Sequence, residues 1–115
     1  MALPSLNTDK SSEEIGDVLE QARKASDLLK ALSHETRLLV LCLLSEGEKS
    51  VSELEQIMAM PQAAVSQQLA RLRMDGLVTT RRDGRMIYYN IASKEVSSLI
   101  EQLYEMFCKP VRNPN

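Results

Sequence analysis

Aromatic side chains are almost missing from this chain, which has no Trp, one Phe and three Tyr in 115 residues. Its core must therefore be assembled from Leu, Ile, Val, Met and Ala. Histidine occurs once, as His34, and cysteine twice, as Cys42 and Cys108. Metal sites need clustered Cys, His or carboxylate ligands at fixed spacing, and no such cluster stands out. There is no Cys-x-x-Cys, no Gly-rich phosphate loop and no acid or His pair suggesting catalysis, so neither an enzyme nor a cofactor is expected. Long apolar runs are lacking too. The longest, Leu38 to Leu44, is far too short to cross a bilayer, and the first dozen residues resemble no targeting segment. A cytoplasmic protein with no membrane partner is expected, and there two cysteines do not read as a structural disulfide framework.

Basic charge is scarce overall, since the net charge is −2, but it is unevenly spread. Residues 1–60 carry 11 acids against 6 bases, residues 61–92 carry 2 acids against 5 arginines, and residues 93–115 carry 3 of each. The parts are thus −5, +3 and 0. The middle stretch is basic through arginine alone, which makes planar two-pronged contacts to phosphate and guanine. Local charge favours a nucleic-acid surface where the total does not.

The length fits one domain. Residues 1–12 read as a flexible polar tail, 13–109 as the folded unit and 110–115 as a short C-terminal tail. Ser11 to Glu14 has the pattern of a capping box, with Ser11 as N-cap. After it Ile15, Val18, Leu19, Ala22, Ala25, Leu29 and Leu32 recur at helical spacing. A small domain rarely covers so long a stripe alone, so this helix is expected to pack on a second copy. Ser33 is placed to cap a second helix, whose Leu38 to Leu44 core is apolar nearly all round. Ser50 to Glu53 forms another capping box, opening a short third helix to Met58. After a break at Ala59-Met60-Pro61, a fourth helix runs from Gln62 to Met74, with Val65, Leu69 and Leu72 inward and Gly76 as its stop. Asp83-Gly84 then reads as the centre of a β-hairpin between Leu77 to Arg82 and Arg85 to Ile91. Ser93 caps a fifth helix expected to stop at Cys108-Lys109, before Pro110.

Helix, helix, helix-turn-helix, hairpin, helix is a mainly α (α+β) order: a winged helix-turn-helix of five helices with a two-stranded wing. In such motifs the second helix of the pair meets base edges in the major groove. Here that helix offers Gln62, Ala63, Ala64, Ser66, Gln67 and Gln68. Gln can pair two-pronged with adenine, Ala can meet a thymine methyl and Ser can reach base or phosphate. Arg71 and Arg73 lie further along, suited to phosphates or internal ion pairs. Arg81, Arg82 and Arg85 sit at the hairpin, where a basic tip can enter or follow the minor groove.

Leu-Lys-Ala-Leu-Ser-His-Glu-Thr-Arg-Leu (29–38), Val-Ser-Gln-Gln-Leu-Ala-Arg-Leu-Arg-Met-Asp-Gly-Leu-Val (65–78) and Arg-Asp-Gly-Arg-Met-Ile-Tyr-Tyr (82–89) together resemble the arsenic-repressor (ArsR/SmtB) family of bacterial repressors. The resemblance covers about residues 15–108. It implies a homodimer built from the first and fifth helices, bound to a palindromic double-stranded operator and released by an inducer. The family's usual Ser-x-x-Ser-Gln-His pattern departs here to Ala63-Ala64-Val65-Ser66-Gln67-Gln68, so base preference is expected to differ. The third helix has no cysteine, and the fifth no histidine, where family metal sites lie. His34 reads as a helix cap or packing residue. The pair Cys42 and Cys108 resembles that of the sulfide-responsive and biofilm-regulating (SqrR/BigR-like) members. That implies a thiol switch in which persulfide or polysulfide oxidises both cysteines and the operator is released. A different inducer (a metal ion, peroxide or other electrophile) is the alternative, a core role for Cys42 remains open, and a thiol oxidoreductase or a dimeric adaptor without DNA binding are the rivals from other classes.

Overall fold

The protein is described by a computed structural model covering residues 11–112, with side chains from 13 to 111. Its elements are α1 (Ser11–Leu32), α2 (Glu35–Leu44), β1 (Lys49–Ser50), α3 (Val51–Met58), α4 (Gln62–Met74), β2 (Val78–Asp83), β3 (Met86–Ile91) and α5 (Lys94–Leu103). A π-helical turn (Tyr104–Cys108) and α6 (Lys109–Arg112) continue the last helix. The strands form one antiparallel sheet in the order β1-β3-β2. The hairpin wing has its expected two strands, β2 and β3, and β1 adds a third strand to the sheet. β1 is a two-residue segment pairing Lys49 with Tyr89 and Ser50 with Tyr88, too short to leave a periodic signal in sequence.

Local chemistry accounts for most boundaries. The Ser50–Glu53 capping box is formed: Ser50 N–H donates to the Glu53 carboxylate at 3.1 Å, and Glu53 N–H donates to Ser50 Oγ at 3.2 Å. Val96 N–H donates to Ser93 Oγ at 3.1 Å, opening α5. At the end of α4, Gly76 N–H reaches Arg73 O at 3.0 Å and Leu77 N–H reaches Leu72 O at 2.9 Å. Those are the two bonds of a Schellman motif, with Gly76 left-handed at φ +73°.

Four expectations are corrected. The cap of α2 is His34, whose Nδ1 accepts from Thr36 N–H at 3.2 Å, while Ser33 Oγ turns back to donate to Lys30 O at 2.9 Å. α1 is already helical at Ser11, so Ser11 does not precede it as N-cap; residues 1–10 and the side chains of Ser11 and Ser12 lie outside the description. The hairpin centre lies one residue later than Asp83-Gly84. Asp83 pairs with Met86, leaving Gly84 and Arg85 as the central residues. Only Gly84 of these has positive φ, +62°, the pattern of a type II′ turn and not the I′ turn implied by Asp-Gly. Finally, helical backbone runs past Cys108 and through Pro110 to Arg112, where a tail was expected. The π turn supplies the means: Lys109 N–H bonds to Tyr104 O, five residues back, so the register has already shifted when Pro110, which lacks an N–H, arrives.

The core gathers Val40, Leu41 and Leu44 of α2, Leu54 of α3, Val65, Leu69 and Leu72 of α4, Leu77 and Val78 at the entry to the sheet, and Val96 and Ile100 of α5. It thus holds the helix-turn-helix against the central helix and α5. Two surfaces stay uncovered. α2 is not buried all round, since Leu39 is 45% exposed. α1 joins the core only through Leu28, Ala31 and Leu32, leaving Ile15, Val18, Leu19 and Leu29 exposed. Its projection makes the radius of gyration 17.5 Å, against about 13 Å for a compact domain of about 100 residues. Among the described residues no helix is long and apolar enough to cross a membrane.

Candidate functional site

α4 is fixed to the core by Val65, Leu69 and Leu72, all fully buried. At 3.6 residues per turn that fixes what faces out. Gln62, Ala63, Gln67, Ala70, Arg71, Arg73 and Met74 are exposed, while Ala64, Ser66 and Gln68 are half-buried on the flanks. Ala63, Gln67, Ala70 and Met74 thus form the outward ridge. Preceding it is a tight turn whose Ala59 holds a left-handed φ of +52°, the only non-glycine among the described residues to do so.

The wing sorts its arginines by strand geometry. Residues paired across antiparallel strands share a face, and neighbours along a strand alternate. Arg81, opposite Tyr88, therefore lies on one face and Arg82, opposite Ile87, on the other, while Arg85 sits at the apex. Arg81 is committed inside the protein. Its guanidinium makes a two-pronged ion pair with Glu48, with Nε to Oε2 at 3.0 Å and Nη2 on Oε1, and it stacks over Tyr88 at 4.8 Å from the ring centroid. Arg71 pairs with Asp75 at 3.4 Å, one turn along α4. Arg73, Arg82 and Arg85 make no ion pair among the described residues. Of five arginines in the basic stretch, three are thus free to meet phosphate. Sequence reasoning grouped Arg81 with the tip and missed Glu48, which lies 33 positions away and precedes a strand that left no signal.

A second site lies between α2 and the π turn. Cys42, buried, and Cys108, half-buried, are 66 positions apart in sequence and both free. Both line the same groove. Burial pushes the Cys42 thiol up to about 11, and the neighbouring Cys108 and Glu46 add to this. Cys42 is therefore protonated at neutral pH and is the weaker first nucleophile of the two, being also the more buried. Lys109, the cation nearest in sequence, donates to Glu105 at 3.2 Å and is spent there. Beside the thiols opens a groove of about 520 Å³, walled by Leu39, Leu43 and Ile57, with Glu46, Lys49 and Tyr104 completing its lining. The exposed side of α2 is one wall of this groove. Among the described residues no group of three His, Cys, Asp or Glu side chains is arranged to hold a metal ion.

Comparison with known proteins gives a consistent answer. Residues 34–80 match the model of the bacterial regulatory protein, arsR family. The chain is 44% identical over 94 residues to the biofilm growth-associated repressor of Agrobacterium fabrum, covering 82% of this chain and 80% of that one. It is 43% identical over 90 residues to the transcriptional activator HlyU of Vibrio cholerae, covering 78% of this chain and 83% of the other. Among solved structures, reduced HlyU from Vibrio cholerae superimposes with a TM-score of 0.77 at 42% identity, covering 80% of this chain and 97% of that one.

Proposed function

The chain belongs to the ArsR family of bacterial transcriptional regulators, and from that premise we propose that it is a dimeric repressor whose operator is released when Cys42 and Cys108 are oxidised by persulfide or polysulfide. The observation that carries the reading is that two free thiols 66 positions apart line one groove open to small molecules. One similar solved chain is described as the reduced form of its protein.

The operator is held by α4 in the major groove, through Gln62, Ala63, Ala64, Ser66, Gln67 and Gln68, with Arg71 and Arg73 towards the backbone. Arg82 and Arg85 of the wing reach the adjacent phosphates or minor groove. Arg71 contributes less than Arg73, because Asp75 holds it. Dimerisation uses α1 and the α5–α6 end. Leu19 at 57% exposure and Phe107 at 65% belong to apolar stripes that a lone chain leaves in water. Two-fold symmetry then spaces the recognition helices about 34 Å apart, one turn of DNA, on a palindromic site.

The chemistry needs no cofactor. The Cys108 thiolate attacks the sulfane sulfur of a persulfide RSSH, the S–S bond breaks and the thiol RSH leaves. Cys42 then attacks the inner sulfur of the Cys108 persulfide as its proton passes to the departing hydrosulfide, so hydrogen sulfide leaves and a disulfide closes. Two thiols lose two electrons, and the persulfide is reduced to RSH and hydrogen sulfide. Further sulfur transfer before closure lengthens the bridge and relaxes its geometric demand. The bridge ties α2 to the helix that carries the dimer contact, so the two half-sites are no longer presented at one DNA turn.

The test compares wild-type protein with Cys42→Ser and Cys108→Ser in operator binding after polysulfide treatment, with intact-mass spectrometry on the same samples. Wild type is expected to gain a Cys42–Cys108 bridge and lose affinity, and each variant to keep its affinity. Release of the operator by either variant sinks the thiol-switch mechanism.

A further inference from the structure

The wing's own strand pairing leaves its angle weakly held. β1 supplies only two residues of support, against β3, and everything from Arg81 to Ile87 is exposed. One side chain compensates. The Glu48 carboxylate accepts from Arg81 of β2 through two guanidinium nitrogens and from Asn90 Nδ2 of β3 at 3.2 Å, so a single group grips both wing strands. Arg81, Tyr88 and Asn90 share one sheet face, because Asn90 pairs with Thr79, two residues before Arg81. Glu48 meets them from the connection that leaves α2, between Glu46 and Lys49 of the thiol groove.

We propose that Glu48 is a positioning residue for DNA binding: it clamps the base of the wing to the connection after α2, through Arg81 and Asn90, and so sets the angle at which Arg82 and Arg85 meet the DNA. Arg81 accordingly serves the clamp and makes no phosphate contact. An Arg–carboxylate pair with two parallel hydrogen bonds fixes direction as well as distance, which an angle-setting contact requires. The stack of Arg81 on Tyr88 holds the guanidinium plane over its own strand pair.

This inference rests on the DNA-binding reading, and its test separates the two. Glu48→Gln removes a negative charge close to the wing. If charge alone mattered, Arg81 would be released towards phosphate, binding would tighten, and the salt dependence would steepen by about 0.9 for each new contact. The clamp predicts the opposite sign: operator affinity falls roughly fivefold for the two clamps of a dimer, with the slope of log affinity against log salt no steeper than that of wild type. The charge-swapped pair, Glu48→Arg with Arg81→Glu, rebuilds the ion pair at constant net charge, though not the Asn90 bond or the stack on Tyr88, and should recover at least half of the lost affinity on a logarithmic scale, while Arg81→Glu alone does not. Unchanged or tighter binding by Glu48→Gln, or no recovery in the swapped protein, overturns the clamp while operator binding by wild type stands. Failure of wild type to bind operator-like DNA would instead overturn the reading beneath it.

Discussion

Arg85 stands at the apex of the wing, and its removal gives a quantitative expectation. It is one of two central residues of the hairpin turn, exposed and without an ion pair among the described residues. Arg85→Ala therefore removes no internal contact, so fold and stability should be unaffected to within about 0.5 kcal/mol. Each phosphate neutralised on duplex DNA contributes about 0.9 to the slope of log affinity against log salt, so two copies in a dimer account for about 1.8. Raising salt fourfold, from about 50 to about 200 mM, then costs the variant roughly 12-fold less affinity than wild type. Fluorescence anisotropy with labelled operator DNA, titrated at four or more salt concentrations, reads both slopes directly. An unchanged slope with weakened binding would mean that Arg85 contacts something other than phosphate. An unchanged slope and unchanged affinity would mean that the wing tip does not reach the DNA, and the account of the wing would be wrong.

Other expectations follow from single residues. Ala59→Gly relieves the left-handed backbone at the turn before α4 and should stabilise the protein by about 1 kcal/mol, raising Tm by about 4 °C in calorimetry at fixed protein concentration; a lower Tm would contradict it. Leu19→Glu or Phe107→Glu puts a carboxylate on stripes assigned to the dimer, so sedimentation should show monomers and operator binding should weaken at least tenfold; a dimeric variant would move the interface elsewhere. Alkylation by iodoacetamide at pH 7.5 should label Cys108 well before Cys42, whose rate should climb until pH approaches about 11. The same raised value fixes a sign for stability: the thiol's contribution is intact below about pH 9 and is lost as pH rises through about 11, so alkaline unfolding should occur at higher pH in Cys42→Ala than its neutral-pH stability alone predicts.

What the sequence disclosed, and what it hid, divides along the range of the interactions involved. α3, α4 and the start of α5 were legible because Ser50, Glu53, Gly76 and Ser93 act within five residues of themselves. The choice between Ser33 and His34 as cap was not, because both can accept a backbone N–H and only the backbone path decides. The Asp83-Gly84 signal located the hairpin, yet its centre moved one residue because Gly84, the only residue of that turn at positive φ, fits first position in a II′ turn as well as second in an I′ turn. Passage of the last helix through Pro110 depends on the π turn before it, which has no sequence signature of its own. The candidate site splits the same way. The outward residues of α4 follow from helical periodicity once Val65, Leu69 and Leu72 are recognised as core. The commitment of Arg81 to Glu48 joins segments 33 positions apart and could be seen only in three dimensions. Net charge of the stretch overstated the free cations for that reason.

The central claim is that a pair of thiols controls operator binding. It is tested most directly by following one sample through a redox cycle, with operator affinity measured on reduced protein, after polysulfide treatment, and again after reduction with dithiothreitol. Tight binding is expected first, then affinity at least tenfold weaker with Cys42 and Cys108 joined in the mass spectrum, then recovery of the first value. Affinity that stays constant while the two cysteines become joined would contradict it.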